Sequence, residues 1–293
     1  MVVGALLTLA LVGLEVRLQP GVARPGDAVL VEVTGTTQAP SGQLGSAELV
    51  FLPFHDSWVA LVGLSPEHQP GILSLEVTGQ SAEGKERLEG ALEVSKANFR
   101  RRQLTVSKRF TNPSKKEREQ SAADQRAFDE AFDRDFEPWS FDATFAWPRL
   151  DQVAAPFGDL RLFNGKKQSQ HSGLDIDGNT GDPIFAANDG EVVMARDCFG
   201  SGNTVLIHHG GRLFTSYFHM SAFAVKVGDH VVRGQPLGKV GKTGRVTGPH
   251  LHFGVKLDGR WLDPESLLRL EFPQARKAPT DRSTSPAVSG ETP

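Results

Sequence analysis

Between Leu14 and Val106 the chain repeats one pattern: short apolar runs separated by turn-forming clusters. Ala28-Val-Leu-Val-Glu-Val33, Ala47-Glu-Leu-Val-Phe-Leu52, Trp58-Val-Ala-Leu-Val62, Ile72-Leu-Ser-Leu-Glu-Val77 and Leu88-Glu-Gly-Ala-Leu-Glu-Val94 are the runs, and Pro25-Gly26-Asp27, Ser41-Gly42 and Glu83-Gly84 punctuate them. Runs of this length, bounded by residues that favour turns, read as strands. Their regular spacing predicts an immunoglobulin-like β-sandwich without a disulfide over residues 14–106. No cluster of ligand-type residues lies in it, so its expected work is to position a following domain or to gate that domain's groove.

The pattern changes near Asn98. Asn112-Pro113 predicts a helix start, with Asn as N-cap and Pro at the first helical position, and the helix is expected to run to about Arg134. Phe128, Phe132 and Phe136 recur every four residues and predict a docking stripe. Residues 107–140 are therefore read as a helical linker packed on one of the domains, with a regulatory cover over a catalytic groove as the alternative. Strand-like runs return over 141–271, among them Pro183-Ile-Phe-Ala-Ala, Gly190-Glu-Val-Val-Met-Ala and Asn203-Thr-Val-Leu-Ile, and they predict a second compact domain. The fold class is all-β: a sandwich, a linker helix and a β-sheet domain, as a chain of 293 residues leads one to expect. Residues 272–293 are rich in Pro, Ser, Thr and charge and predict a disordered tail. Val2 to Gly13 is an uncharged apolar run, too short to span a bilayer as a helix. It is read as a signal or anchor remnant, although no Lys or Arg precedes it and no small-x-small cleavage site follows.

Composition narrows the functional classes. With 32 Lys and Arg against 35 Asp and Glu, the net charge is −3, which gives no broad attraction to nucleic acid. Arg100-Arg-Arg102 is short and is read as an exposed strand end. Cys198 is the single cysteine, so it forms no internal disulfide and is expected to be a passive thiol. No stable membrane span and no nucleic-acid partner are expected, and a monomer is.

The chemistry sits in the second domain. His171-Ser-Gly-Leu-Asp175 is answered later by His250-Leu-His252. If each segment is a strand, the period of two puts His171 and Asp175 on one face and His250 and His252 on another, opposite Leu174, Ile176, Leu251 and Phe253. Two neutral imidazoles and one carboxylate make a catalytic zinc site with the fourth position open to water, and these clusters offer those groups with an imidazole to spare. Tyr217-Phe-His219 forms a third element whose Tyr and His are expected to share a face. No H-E-x-x-H helix supplies a Glu base, so an imidazole must take that role. His55, His68, His208, His209 and His230 are read as structural. Asp177 is read as a loop or supporting group. Asn164, in Arg161-Leu-Phe-Asn-Gly, is expected either to approach the metal or substrate or to form an ordinary Asn-Gly turn.

The succession H-x-G-x-D, Y-x-H and Gly241-Lys-Thr-Gly244-Arg-Val-Thr-Gly248-Pro-His250-Leu-His252 resembles the lysostaphin/LytM-type zinc metallopeptidases, also called the beta-lytic metallopeptidase family. The resemblance covers roughly Trp147 to Leu270, and it implies a domain related to the biotinyl/lipoyl hybrid motifs. The strand-turn-strand of Val225 to Gly238 agrees with that. It implies His171, Asp175 and His252 as ligands of Zn2+, and His219 and His250 as catalytic histidines. Of these, His250 is assigned as general base and His219 as oxyanion stabiliser or proton donor, with the two roles exchangeable; Tyr217 is expected to add a hydrogen bond to the oxyanion. The implied activity is endopeptidase cleavage of peptide cross-links or stem peptides in bacterial peptidoglycan, which places the protein in the periplasm, the cell envelope or outside the cell. Two rivals use the same scaffold: a non-catalytic regulator that activates another wall hydrolase, and a carrier domain that takes up phosphate or a covalent cofactor. The intact ligand set argues against the first and the Asp175 carboxylate against the second.

Overall fold

A computed structural model describes residues 13–165 and 167–274. The architecture is mostly β, with two α-helices, α1 (Lys115–Phe132) and α2 (Pro264–Arg269), among the described residues. The N-terminal unit consists of two sheets around a shared apolar core. One orders Glu15–Gln19, Ala28–Thr34, Ser57–Gly63 and Leu52–Phe54; the other is built on the long hairpin of Gly71–Ser81 and Gly84–Val94. Val29, Val31 and Val33 face that core together with Leu75, Val77 and Leu92.

The intervening positions of the same strand do something else. Ala28 and Leu30, with Val59 from the neighbouring strand, join the core of the C-terminal domain. Side chains alternate across a strand, so Ala28–Thr34 is buried on both faces, and that is why it reads as an apolar run rather than as an apolar-polar alternation. Asp263 and Ser266 at the start of α2 clamp the junction: the Asp263 amide donates to the Gly26 carbonyl (2.7 Å), and the Ala28 amide donates to Ser266 Oγ (2.8 Å).

The C-terminal domain is an eight-stranded antiparallel sheet, in which Leu174–Asp177, His250–Leu257, Leu213–Met220 and Gly202–His208 lie side by side. Two three-stranded sheets flank it. One of them corrects the expected boundary at 106: Arg101–Leu104 pairs in parallel with Leu160–Phe163 and so belongs to the C-terminal sheet system.

Helix α1 starts later than expected. Ser114, not Asn112, is the N-cap, and it forms a capping box with Glu117. The helix ends at Phe132, so the stripe is shorter too. Phe128 meets Phe218, and Phe132 meets Phe214 and Trp261, while Phe136 lies past the helix end and is exposed. Asp124 is buried and ties the helix to the sheet by accepting from the Phe199 amide (2.7 Å) and Arg196 Nε (3.1 Å). Phe272, expected to begin a disordered tail, is buried against Phe54, Phe141 and Phe145. The rest of the tail from residue 275, and the remnant expected over 1–13 apart from Gly13, lie outside the described residues. Among the described residues no helix is long and apolar enough to cross a membrane.

Candidate metal centre and active-site groove

The sheet register builds the centre. Leu174–Asp177 pairs with His250–Leu257 so that Asp175 lies opposite His252 and Asp177 opposite His250. Leu174, Ile176, Leu251 and Phe253 turn into the core with no exposure, which leaves the polar alternates on the groove side. His171 arrives differently from the strand reading: it sits in the bend between Lys167–Gln170 and Leu174–Asp177. Its amide donates to the Asp159 carbonyl (2.8 Å). The glycine of H-x-G-x-D is explained by crowding: a Cβ on Gly173 would collide with the Phe253 carbonyl oxygen and lie 2.8 Å from His252 Nε2.

Three donor atoms converge. His171 Nε2 lies 2.9 Å from Asp175 Oδ1 and 3.0 Å from His252 Nδ1, and His252 Nδ1 lies 2.8 Å from the same Asp175 oxygen. His171 Nδ1 donates to the Pro156 carbonyl (2.7 Å), so its Nε2 carries a lone pair. Burial pushes His252 down to about 4, which keeps that ring neutral at physiological pH. Burial alone would raise Asp175, but the His171 and His252 rings set against its carboxylate hold it well below the usual carboxylate range. Lone pairs aimed at one point repel unless a cation lies among them. Tetrahedral zinc with bonds of about 2.0–2.1 Å separates its ligands by roughly 3.3 Å, so the cluster needs only small adjustments to hold such an ion.

Two further imidazoles line the same groove, which has a volume of ≈ 570 Å³. His250 Nδ1 donates to the Gly248 carbonyl (2.9 Å), and its Nε2 reaches 3.6 Å from Asp175 Oδ1. His219 Nδ1 donates to the Thr243 carbonyl (2.9 Å), and the two rings stand 5.0 Å apart. Burial, then the charges of His250 and His252, push His219 well below the usual histidine range.

Two expected site residues point elsewhere. Tyr217 is fully buried; its hydroxyl accepts from the Ala187 amide (2.9 Å) and shares a hydrogen bond with Thr215 Oγ1 (3.1 Å), and burial raises its pKa to about 12. The expectation that it shares a face with His219 fails because His219 has a φ of 66°, which breaks the alternation after Phe218. Phe218 pairs with His252 on the groove side and Tyr217 with Phe253 on the core side. Asn164 also serves structure: its side chain accepts from the Val106 amide (2.9 Å) and donates to the Val106 carbonyl (2.9 Å). Asp177 lies exposed at the groove edge, and His55, His68, His208, His209 and His230 do not line it.

The sequence reading missed Arg161, whose Nη2 meets Asp175 Oδ2 at 2.6 Å, and Phe218, which stacks on the His252 ring at 5.1 Å and 16°. It also missed Thr243, which orients His219. Strand phase names faces within a strand, but the Arg161 contact depends on how two sheets meet, the Phe218 contact on which strands pair, and the Thr243 contact on a loop.

The model of peptidase family M23 matches residues 169–264, a span that contains all five groove-side ligand and histidine positions. Residues 169–264 form an M23 peptidase domain. Over 129 residues the chain is 39% identical to peptidoglycan DD-endopeptidase ShyA of Vibrio cholerae, covering 44% of this chain and 29% of that protein. It is 40% identical to the DD-carboxypeptidase/endopeptidase Mpg of Neisseria meningitidis, covering 43% of this chain and 30% of that one. The chain thus aligns with less than a third of the length of these curated relatives. A Pseudomonas aeruginosa protein solved as a candidate M23 peptidase is 25% identical, covers 83% of this chain and 94% of its own, and superposes with a TM-score of 0.59. That likeness extends beyond the M23 domain into the N-terminal unit.

Proposed function

We propose that the chain is a zinc-dependent endopeptidase that hydrolyses peptide bonds in bacterial peptidoglycan, in cross-links or stem peptides. The observation that carries this reading is the convergence of His171, Asp175 and His252 in a groove shared with two more imidazoles, each anchored through Nδ1. The activities for which ShyA and Mpg are named support the substrate class. Bound zinc would supply Lewis acidity, making a water more acidic and polarising a scissile carbonyl.

The protein's own groups handle the protons. With Nδ1–H given to Gly248, His250 presents an Nε2 lone pair toward the metal ligands, and it takes a proton from the attacking water. The imidazolium so formed returns the proton to the leaving amine as the carbon–nitrogen bond breaks. His219 has the same tautomer, with Nδ1–H on Thr243, so it too is an acceptor in the resting site. Its depressed pKa opposes the protonation that an oxyanion donor would need. We assign it to hold the water's second proton and so to orient the attack. Arg161 neutralises the outer oxygen of Asp175 and fixes the carboxylate's orientation.

In the same reading the N-terminal unit is an immunoglobulin-like module that positions the groove, the M23 domain is a hybrid-motif relative, and the protein works as a monomer in the periplasm, on the envelope or outside the cell. The test measures zinc in the purified protein and digests purified peptidoglycan, with mass spectrometry of the fragments. One zinc per chain and new amino termini within the peptides support the proposal. A protein that binds no zinc and cuts nothing, yet stimulates another wall hydrolase, replaces it with the regulator.

A further inference from the structure

The groove holds three guanidinium groups. Arg102 Nε meets Asp159 Oδ2 at 2.6 Å, and Arg161 meets Asp175 at 2.6 Å. Arg245 differs. It is half-buried and lies over the Phe163 ring at 4.5 Å, and among the described residues no carboxylate or carbonyl accepts from its guanidinium. Burial, then the charge of Arg161, pushes its pKa below the usual arginine value. An arginine does not lose its proton in a protein, so a desolvated and unpaired guanidinium gains by meeting an anion.

Its surroundings point the same way. Arg245 stands between the groove and a second cavity of ≈ 430 Å³, and lines both. Among the described residues the wall of that cavity carries two arginines, Arg118 and Arg245, and no Asp or Glu. The backbone beneath Arg245 is fixed. Its amide donates to the Gly200 carbonyl (2.8 Å), while Thr243 Oγ1 accepts from the Asn203 amide (2.9 Å) and donates to the Met220 carbonyl (2.9 Å). This loop holds His219 through the Thr243 carbonyl and leads directly to His250.

We propose that Arg245 is a specificity-determining residue that pairs with a free carboxylate of the peptide substrate, with the side cavity admitting the segment that bears it. A guanidinium matches a carboxylate with two parallel hydrogen bonds, and it would fix the peptide relative to the metal centre. The inference rests on the peptidase reading. The carboxylate has two sources, the chain end of a stem peptide or a branch carboxylate along it.

The test uses the full chain with its metal, and Arg245→Gln and Arg245→Lys variants whose zinc content and melting temperature match the wild type. Four synthetic stem peptides serve as probes: both carboxylates free, the chain end amidated, the branch amidated, or both. Binding is read by calorimetry and cleavage separately by KM and kcat. The wild type is expected to bind one acid form roughly tenfold or more tighter than its amide. Arg245→Gln loses that preference while its affinity for the amide holds, and Arg245→Lys keeps part of it. The amide that weakens binding identifies the source. Equal binding of acid and amide by the wild type, or an undiminished preference in Arg245→Gln, overturns the proposal. A protein that prefers the acid but cuts no peptide breaks the peptidase reading and leaves the role of Arg245 standing.

Discussion

The two halves of the molecule use the same β-sheet chemistry for opposite ends. Among the described residues of the N-terminal unit only Ser57 and Ser81 are buried polar side chains. The C-terminal domain buries Asp159, His171, Asp175, His208, His209, His219 and His252, among others. Burying a polar group costs free energy unless a partner satisfies it, so an apolar core is the default and a cluster of buried imidazoles demands a reason. His171, Asp175 and His252 find that reason in the candidate metal centre, while His209 is satisfied by the Asp189 carbonyl and Thr215 Oγ1. Where the two halves differ is the site: among the described residues the ligand-type cluster lies in the C-terminal domain alone.

The largest break in the comparison comes from removing a ligand. Asp175→Ala should abolish both metal binding and cleavage, read by metal analysis and peptidoglycan digestion, and an active variant would overturn the ligand set. His250→Gln should keep the metal and lower kcat by about 10²–10⁴-fold. Next is the shared strand. Leu30→Ala should cost about 2–5 kcal/mol, and because Leu30 sits in the C-terminal core it should weaken the M23 domain although it lies in the other half. Denaturant unfolding followed by a probe in each half tests this; a loss confined to the N-terminal probe contradicts it.

His209 sharpens the comparison through pH. Burial pushes it down to about 3, and as a neutral ring it donates from Nδ1 to the Asp189 carbonyl (2.6 Å) and accepts from Thr215 Oγ1 (2.8 Å). The unfolded chain takes up a proton near the ordinary value of about 6.5 and the folded one does not. The stabilisation is therefore fully present above that value and is lost as pH falls toward 3. His209→Gln should flatten that fall in urea midpoints measured between pH 7 and pH 4. The smallest effect is expected from Tyr217→Phe: about 1 kcal/mol of stability from the lost hydroxyl and little change in kcat. A large fall in kcat at unchanged stability would return Tyr217 to the catalytic site.

The sequence made much of this legible because period-two alternation names faces. It identified many strands of both halves, though the run Ala47–Leu52 splits between Ala47–Glu48 and Leu52–Phe54 of different sheets, and it put Asp175, His250 and His252 on the groove side. It stumbled where the backbone leaves the period. The positive φ at His219 sends Tyr217 and His219 to opposite sides, and the bend at His171 delivers a ligand from outside the strand. It chose Asn164 from the Arg161-Leu-Phe-Asn-Gly segment when Arg161 was the functional neighbour, because an Asn-Gly pair signals a turn whereas a guanidinium's partner depends on which sheets meet. The same limit hid the pairing of Arg101–Leu104 with the C-terminal sheet, a contact between segments far apart in the chain. The helix start moved from Asn112 to Ser114 because the reciprocal bonds with Glu117 satisfy two backbone donors where the Asn-Pro reading satisfied one.

The strand Ala28–Thr34 carries a last consequence. With one face in each core, it leaves no seam along which the halves could part. Tilting the N-terminal unit away would open a wet gap beneath Leu30 and Val59 and undo the clamp at Asp263 and Ser266. The catalytic groove is thus a blade on a fixed handle, not on a tether. In the proposed peptidase reading, the distance from the groove to whatever the N-terminal unit rests against is a length written into the fold.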